Sequence, residues 1–290
     1  MQRSEDRPFT HAELVDAVAD ADAVVCLLTD RVDAEVLQAG APRLRAVANV
    51  AVGFDNIDVA AAASLGVVVC NTPGVLDETT ADLAFLLILA AARMASDAEQ
   101  DLRTGRWGGW EINDYLGRDV HEATLGLVGY GRIGRAVARR ARGFSMEVLH
   151  HARTDSGDPG YVADLDALLA GSDIVSLHVP LTADTRHLID ARRLHLMGPD
   201  AVLVNTSRGP VVDEEALASA LEDGVIFAAG LDVYEREPEI NPRLLTAPRS
   251  VLLPHIGSAS LATRLRMARV ASENVVAVLA GDPPPNPVTL

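Results

Sequence analysis

Residues 123–144 read ATLGLVGYGRIGRAVARRARGF, and this stretch decides the fold of the chain. An apolar run of strand type, Thr124 to Val128, leads into a GxGxxG segment that begins at Gly129. A helical pattern follows, because apolar residues recur on one face while arginines occupy the other. A second strand pattern, residues 146–151, comes at the distance typical of a βαβ unit. The stretch therefore predicts a dinucleotide-binding unit.

Each glycine of this segment has a separate task. Gly129 permits the tight turn, Gly131 lets the backbone approach a pyrophosphate, and Gly134 lets the helix and the strand pack closely. The helix N-terminus, at Arg132 and Ile133, offers free N–H groups and a positive dipole end to the phosphates. A GxGxxG alone is a weak indicator, but its position between a predicted strand and a predicted helix makes it specific.

Composition limits the possible functions. The chain has 290 residues, 49% of them hydrophobic, which is enough for one large domain or two smaller ones with a packed core. The formal net charge of −16 disfavours a nucleic-acid or anionic-membrane partner, since either requires a basic face. All 25 basic residues are arginine, which excludes a lysine Schiff base, a Walker-type lysine and a lysine general base.

The cysteines and the apolar runs predict neither a metal centre nor a membrane span. Cys26 and Cys70 lie in strand-like runs and are expected to be core thiols rather than a disulfide or a metal site. No His, Cys or carboxylate spacing predicts a metal site. The longest apolar run, Leu83 to Ala92, is too short to cross a bilayer, and the N-terminus is polar rather than a secretory leader. We therefore expect a cytoplasmic protein.

Strand and helix patterns alternate on both sides of the central motif. The opening third calls for a parallel sheet of its own. A long helical stretch then runs from Thr79 to about Met94 and continues towards Gly105, and an irregular segment, residues 106–120, precedes the motif. The predicted strands outside the motif are residues 23–28, 44–50, 67–70, 173–178, 201–205, 227–233 and 250–253. The other predicted helices are residues 32–39, 58–65, 164–170, 213–221 and 258–280, besides a helical pattern before residue 22.

Functional residue types occur where several of these strands end. In an open α/β sheet, ligands bind beyond the carboxyl ends of the strands, and four such ends carry Gly53, Arg208, Glu237 and His255. Singly, each polar residue has an ordinary structural explanation. Together they suit the reduction of a 2-oxo acid, because arginine can bind a carboxylate bidentately and a histidine paired with an acid can supply a proton.

Seven ordered segments resemble the motifs of D-isomer-specific 2-hydroxyacid dehydrogenases, and their glyoxylate/hydroxypyruvate reductase branch is the most similar. The segments are VAVGFDNID, NTPGVLDETTADLA, LGLVGYGRIG, SLHVPLT, VLVNTSRGPVVDEEAL, AGLDVYEREP and PHIGSAS. The resemblance starts at about Ala23 and implies an α/β fold with two doubly wound parallel-sheet domains. A Rossmann coenzyme domain, residues 95–259, would be inserted in a flavodoxin-like substrate domain made of residues 1–94 and 260–290.

The resemblance also implies roles for individual residues. Arg208 would bind the carboxylate and carbonyl of the substrate, His255 would be the acid/base, and Glu237 would be its partner. Backbone amides at Val52 and Gly53 would hold the substrate carboxylate.

For the coenzyme, the resemblance implies that Thr206, Asp232 and Gly257 line the nicotinamide side and that Pro180 lines the adenine-ribose side. Family dimers are built on the long helix and on the segment after it, which here holds Trp107 and Trp110. A homodimer is therefore expected, in which one of these tryptophans covers the active site of the neighbour.

Two departures from the family pattern matter. Family members begin with a strand and a helix ahead of the region that matches Ala23, whereas this chain has a polar lead-in. The substrate domain is thus expected to lack its first strand and helix, and we expect the true start to lie upstream. In addition, an NAD enzyme places an acid near Ala152 to bind the ribose 2′-OH. Here Arg153 follows instead, which predicts a preference for NADP, with use of NAD as the alternative.

The predicted function is NAD(P)H-dependent reduction of a small 2-oxo acid, glyoxylate or hydroxypyruvate, to the D-2-hydroxy acid. A D-3-phosphoglycerate dehydrogenase is the alternative within the family, although no basic cluster suits a substrate phosphate. A dinucleotide-sensing corepressor, which would bind dinucleotide and turn over poorly, is the alternative from another class.

Overall fold

The computed structural model describes residues 7–289, and they fall into two compact units. One unit joins the residues up to Leu76 with those from Ser258 onward, and the other is Asp77–Gly257. Both units are α/β and contain only parallel sheets, as the alternation of patterns predicted.

The first unit is built on a three-stranded sheet. Its strands β1 (Ala23–Cys26), β2 (Ala46–Asn49) and β3 (Val68–Cys70) lie side by side in that order. Its helices are α1 (His11–Val18), α2 (Ala34–Gly40), α3 (Val59–Ser64) and, after the second unit, the C-terminal α11 (Leu261–Ala280). From residue 7 up to β1 the chain forms α1 but no strand.

Successive side chains of β2 point to opposite faces of this sheet. Val47 belongs to the buried cluster of α1, α2 and α3, whereas the next residue, Ala48, packs with Ala271 of α11. Cys26 and Cys70 are buried free thiols in the sheet, as expected. Small residues on the α11 side let that helix approach the strands closely.

The second unit is a six-stranded sheet in the order β5-β4-β6-β7-β8-β9. These strands are β4 (Thr124–Val128), β5 (Glu147–His151), β6 (Ile174–Leu177), β7 (Val202–Asn205), β8 (Ala228–Leu231) and β9 (Ser250–Leu252). The helices are α4 (Asp77–Ala92), α5 (Ala95–Arg103), α6 (Arg132–Ala141), α7 (Leu165–Ala170), α8 (Ala191–Met197), α9 (Glu214–Glu222) and α10 (Pro242–Thr246).

The order of these strands places a topological switch at β4. The chain moves from β4 to one neighbour, β5, and then returns to build the other side from β6 onward. Beyond β5, a single parallel bridge between His150 and Tyr161 takes the place of a further strand. The carboxyl ends of β4 and its neighbours therefore form the crevice in which a doubly wound sheet binds its ligand.

Two apolar layers cover the faces of this sheet. One cluster joins α7, α8 and α9 to the strands, and the other joins α4 and α6 to them. Every residue of β6, β7 and β8 is buried, as expected of parallel strands covered on both sides.

The boundaries of the units differ from those expected at 94/95 and 259/260. The structure divides the chain after Leu76 and after Gly257, because α4 packs into the second unit. A Cβ on Gly230 of β8 would lie 3.0 Å from the Cβ of Leu87 on α4. The helix is apolar on nearly all sides, so its sequence gave no indication of which sheet it covers.

The long helical stretch is interrupted where the sequence predicted continuity towards Gly105. Met94 has a φ of 52°, and α4 and α5 meet there at a bend of 70°. Among the described residues, no single helix is long and apolar enough to cross a membrane, and only this bent pair taken together has the necessary length and composition.

Helix α8 was not predicted from the sequence, yet it contributes to the core. Leu194 on this helix is fully buried, whereas Leu196 is 36% exposed. We expect Leu194→Ala to destabilise the second unit by about 2–5 kcal/mol, because it removes buried atoms and leaves a cavity. Leu196→Ala should cost less than about 1 kcal/mol. Thermal and urea unfolding of both variants checks this; equal losses would contradict the packing of α8.

Candidate active site

The three glycines of the central motif differ in their surroundings. Gly129 has a φ of 97°, and a Cβ there would lie 2.5 Å from the carbonyl oxygen of His178. A Cβ on Gly134 would lie 2.3 Å from the carbonyl oxygen of Gly129. By contrast, nothing lies within 4 Å of a Cβ built on Gly131, directly before α6 begins. This open space at a helix N-terminus is suited to a phosphate group.

The loop after β5 presents Arg153 to solvent. Two acids follow in the same loop, but both are engaged locally. Asp155 accepts a hydrogen bond of 2.7 Å from the amide of Gly157. Asp158 forms an ion pair of 2.6 Å with Arg135, and hydrogen bonding to that guanidinium lowers the pKa of Asp158 to about 2. Neither acid occupies the position next to the strand where an NAD enzyme binds the ribose hydroxyl.

Two predicted coenzyme contacts follow the next strands. Pro180 is exposed after β6, and its carbonyl accepts a bond of 2.7 Å from Thr185. Thr206 follows β7, and its buried Oγ1 has no hydrogen-bond partner among the described residues. A buried hydroxyl without a partner is costly, so a polar ligand group at this position would stabilise it. The open glycine turn and this hydroxyl fit a nicotinamide dinucleotide.

Asp232 fixes the loop that carries the predicted acid/base. Its two carboxylate oxygens accept bonds of 2.8 Å each from the amides of Ile256 and Gly257. Its carbonyl accepts a bond of 2.9 Å from the amide of His255, which has a φ of 52°. Burial raises the pKa of Asp232, and the two amide bonds oppose that effect. The loop after β9 is thus bound to the end of β8.

His255 and Glu237 form a direct pair. The Nδ1 of His255 lies 2.7 Å from Oε2 of Glu237, and Oε1 of Glu237 accepts a bond of 2.9 Å from the amide of Tyr234. Burial alone would raise the pKa of Glu237, but the hydrogen bond and charge of His255, with a smaller contribution from Arg208, bring it below its usual value. The group is therefore a carboxylate at neutral pH, and Nε2 of His255 is left for proton transfer.

Arg208 is carried by a turn that Asn205 organises. The side chain of Asn205 is buried, and its Nδ2 donates a bond of 2.9 Å to the carbonyl of Arg208. Its Oδ1 accepts bonds from the amide and the hydroxyl of Ser207, at 3.0 Å and 2.8 Å. One buried side chain thereby shapes the whole turn after β7.

A close backbone contact places that turn beside the Glu237 segment. A Cβ on Gly209 would lie 1.8 Å from the carbonyl carbon of Tyr234, so only glycine fits. The hydroxyl of Tyr234 also donates a bond of 3.0 Å to the carbonyl of Leu253, just before the histidine loop. Arg208 is close enough for its charge to lower the pKa of Glu237.

The second unit therefore brings together Arg208, Glu237 and His255, with Asp232 and Gly257 anchoring the histidine loop. Val52 and Gly53 belong to the first unit, in the turn after β2. Sequence reasoning missed Asn205 and Tyr234 as supports of the site. Their positions at the end of β7 and after β8 were the only available signal. Among the described residues, no group of three or more His, Cys, Asp or Glu side chains is placed to hold a metal ion.

This combination defines a class of protein. A doubly wound sheet with a glycine turn at its switch point, and an arginine beside a His–carboxylate pair at the same strand ends, is typical of an oxidoreductase that uses a nicotinamide dinucleotide.

Comparison with known proteins identifies the family. Residues 85–257 match the family model for the D-isomer specific 2-hydroxyacid dehydrogenase, NAD binding domain. The glyoxylate reductase of Korarchaeum cryptofilum is 50% identical over 291 residues, which cover 97% of this chain and 87% of that protein. The chain belongs to the D-isomer-specific 2-hydroxyacid dehydrogenase family, which confirms the resemblance found in the sequence.

Solved structures are also similar to this chain over nearly its whole length. A crystal structure of a protein from Thermus thermophilus has a TM-score of 0.92 and 46% identity, over 98% of this chain and 91% of that chain. The NADPH-dependent glyoxylate/hydroxypyruvate reductase of Sinorhizobium meliloti, in complex with NADP and malonate, has a TM-score of 0.87 and 38% identity. That match covers 94% of this chain and 85% of the other.

The His–Glu pair leads to a prediction about catalysis. Glu237→Gln keeps the shape and an acceptor for the amide of Tyr234 but removes the negative charge beside Nδ1 of His255. We expect kcat to fall about tenfold or more, because the charge that stabilises the ring during proton transfer is lost. Glu239→Gln, an exposed neighbour, is the matched control and should leave kcat unchanged. A kcat of Glu237→Gln equal to that of the wild type, measured by steady-state kinetics, would refute a role for this charge in proton transfer.

Proposed function

We propose that the protein uses NADPH to reduce a small 2-oxo acid, glyoxylate or hydroxypyruvate, to the corresponding D-2-hydroxy acid. The observation that carries this proposal is the pairing of His255 with Glu237 at 2.7 Å, beside Arg208, in a chain of this family. The relative from Korarchaeum cryptofilum is named a glyoxylate reductase, and the Sinorhizobium enzyme a glyoxylate/hydroxypyruvate reductase. These names support the choice of substrate.

The residues of the second unit would share the chemistry. When bound at the glycine turn, a reduced nicotinamide dinucleotide supplies a hydride to the carbonyl carbon. His255 would donate the proton from Nε2 to the carbonyl oxygen, while Glu237 holds Nδ1 and stabilises the protonated ring. The guanidinium of Arg208 would stabilise negative charge on that oxygen and bind the carboxylate. The hydride and the proton together complete the reduction.

We assign the units to the two ligands accordingly. The second unit would be the coenzyme domain, with Thr206, Asp232 and Gly257 on the nicotinamide side and Pro180 on the adenine-ribose side. The first unit would be the substrate domain, in which the amides of Val52 and Gly53 hold the carboxylate. Because both oxygens of Asp232 already accept backbone bonds, this residue would act mainly by fixing the loop.

We also propose that the protein forms a homodimer through α4 and α5 and the segment that follows them. Large apolar side chains are exposed in that segment: Trp107 is 50% exposed, Trp110 78% and Ile112 68%. Clustered exposed apolar groups mark interaction surfaces. The coverage of a neighbouring active site by one tryptophan, and a cytoplasmic location, stay predictions.

Initial rates test the proposed activity. NADPH and NADH would each be combined with glyoxylate, hydroxypyruvate, pyruvate and phosphohydroxypyruvate. We expect the fastest turnover with NADPH and glyoxylate or hydroxypyruvate, and a loss of about 100-fold or more in kcat for His255→Ala. Arg264→Ala, an exposed change on α11, is a control. Dinucleotide binding without turnover would replace the proposal with a sensing role, and a preference for phosphohydroxypyruvate would point to a phosphoglycerate dehydrogenase.

The coenzyme preference depends on Arg153. The exposed guanidinium lies just beyond β5 and can pair with a 2′-phosphate, whereas the nearby Asp155 binds the amide of Gly157 and Asp158 pairs with Arg135 of α6. We expect Arg153→Ala to raise the KM for NADPH about tenfold or more, since it removes a charge-assisted contact, and to leave the KM for NADH nearly unchanged. Steady-state kinetics with both coenzymes checks this. Equal effects on the two KM values would contradict recognition of the phosphate.

A further inference from the structure

The turn after β2 has three consecutive carbonyl groups that are held by hydrogen bonds. The carbonyl of Ala51 accepts a bond of 2.8 Å from the amide of Thr72. The carbonyl of Val52 accepts one of 2.8 Å from Nδ2 of Asn71. The carbonyl of Gly53 accepts one of 2.8 Å from Nδ2 of Asn49. Two of the three anchors are thus side-chain amides.

Because each peptide group is planar, fixing a carbonyl also fixes the direction of the N–H group that follows it. In a trans peptide, the N–H of one residue points opposite to the carbonyl of the residue before it. The anchored carbonyls therefore direct the N–H groups of Val52, Gly53 and Phe54 away from their anchors. Within residues 7–289 none of these three N–H groups has an acceptor, and the three residues are partly exposed. Successive free amides of this kind suit an anion.

Asn49 is fixed by a complete set of partners. It is fully buried, and its Nδ2 also donates a bond of 2.9 Å to Oδ1 of Asn56. Its Oδ1 accepts a bond of 3.5 Å from the thiol of Cys26. Burial raises the pKa of that thiol to about 12, so it stays a donor. A fully satisfied buried amide of this kind rigidifies its surroundings.

At Asn71 the effect of the side chain can be tested separately from that of the backbone, because the backbone is held by other hydrogen bonds. Its amide donates a bond of 3.2 Å to the carbonyl of Asn286, and its carbonyl accepts one of 3.2 Å from Nδ2 of Asn274. Asn274 and Asn286 are themselves joined by a bond of 2.9 Å. Removal of the side-chain amide of Asn71 therefore leaves the backbone at this position in place.

We propose that Asn49 and Asn71 are positioning residues, which orient the amide groups of residues 52–54 for the carboxylate of the substrate. This inference rests on the proposed function, in which the amides of Val52 and Gly53 bind that carboxylate. The two side chains touch neither substrate nor coenzyme. They fix the direction of the peptide dipoles before the anion arrives, so that little reorganisation accompanies binding.

The test compares Asn71→Ala and Asn71→Asp with the wild-type enzyme. We expect the KM for glyoxylate to rise about tenfold in Asn71→Ala, with kcat changed by less than about twofold. The KM for NADPH and the melting temperature should stay near the wild-type values. Asn71→Asp keeps the shape but replaces the donor with an oxygen, so it should lose at least as much. Asn241→Ala, which removes a partly buried helix-capping amide in the second unit, is the matched control.

Oxalate, which has carboxylates but no reducible carbonyl, separates this inference from the proposed function. Its Kd would be measured by calorimetry in the presence of NADPH, with each variant. Weaker oxalate binding by both Asn71 variants supports the inference, even if the wild-type protein turns over no 2-oxo acid. Turnover by the wild type with an unchanged KM and oxalate Kd in both variants overturns the inference and leaves the function standing. Failure of the wild type to bind oxalate also overturns it, as does a lower melting temperature with an unchanged KM.

Discussion

The contact between Gly209 and the backbone of Tyr234 is the constraint on which the candidate site depends. A single added methyl group at residue 209 would lie 1.8 Å from a carbonyl carbon, far inside van der Waals distance. The obstructing atoms belong to the backbone, so no side-chain rotation can relieve the clash. Because the turn and the segment are in contact, the arginine that precedes the glycine lies beside the segment that continues to Glu237. The electrostatic coupling between Arg208 and Glu237 follows from this packing.

Around this contact, the supporting residues and the reacting residues differ in burial. Asn205 and Asp232 are almost fully buried and direct all or most of their hydrogen bonds to the backbone. By contrast, the side chains of His255 and Glu237 are 32% and 35% exposed. A buried carboxylate is costly unless it is hydrogen-bonded, and the two amides at Asp232 offset that cost. The same bonds hold His255 in a left-handed backbone conformation.

The sequence predicted those helices, strands and turns that are determined by the residues within them. Strand β4 and the glycine turn were predicted residue for residue, because the apolar run, the glycines and the helical pattern all lie within 22 positions. Helices α8 and α10, of seven and five residues, were missed, although α3 and α7, of six residues each, were predicted. Helix α4 was predicted, but the expected boundary followed it at residue 94, whereas the helix packs into the second unit. Eight of its residues are buried, and only the three-dimensional packing reveals against which strands.

In the candidate site, too, contacts between residues far apart in the chain could not be predicted from local patterns. The resemblance placed Arg208, Glu237 and His255 in one site, and the structure shows Glu237 and His255 in direct contact although 18 positions separate them. By its surroundings alone, Glu237 would be a solvated loop residue, since its pairing depends on a histidine from another strand end. The roles of Asn205 and Asn71 could not be predicted at all. Each depends on a carbonyl that the turn geometry presents to the amide, and sequence spacing contains no information on that direction.

The negative net charge of the protein gives the backbone N–H groups of the proposed ligand sites a particular importance. With a formal charge of −16, the protein repels anions at long range, yet both proposed ligands are anionic. Local attraction must therefore come from groups placed at short range. In the proposed function, the helix N-terminus at Gly131 holds the pyrophosphate, and amides at residues 52–54 hold the carboxylate. Such dipoles carry no net charge and no proton that titrates near neutral pH. Because the chain has no lysine, the charged side chains beside the substrate in the proposed function are Arg208 and the pair of His255 and Glu237.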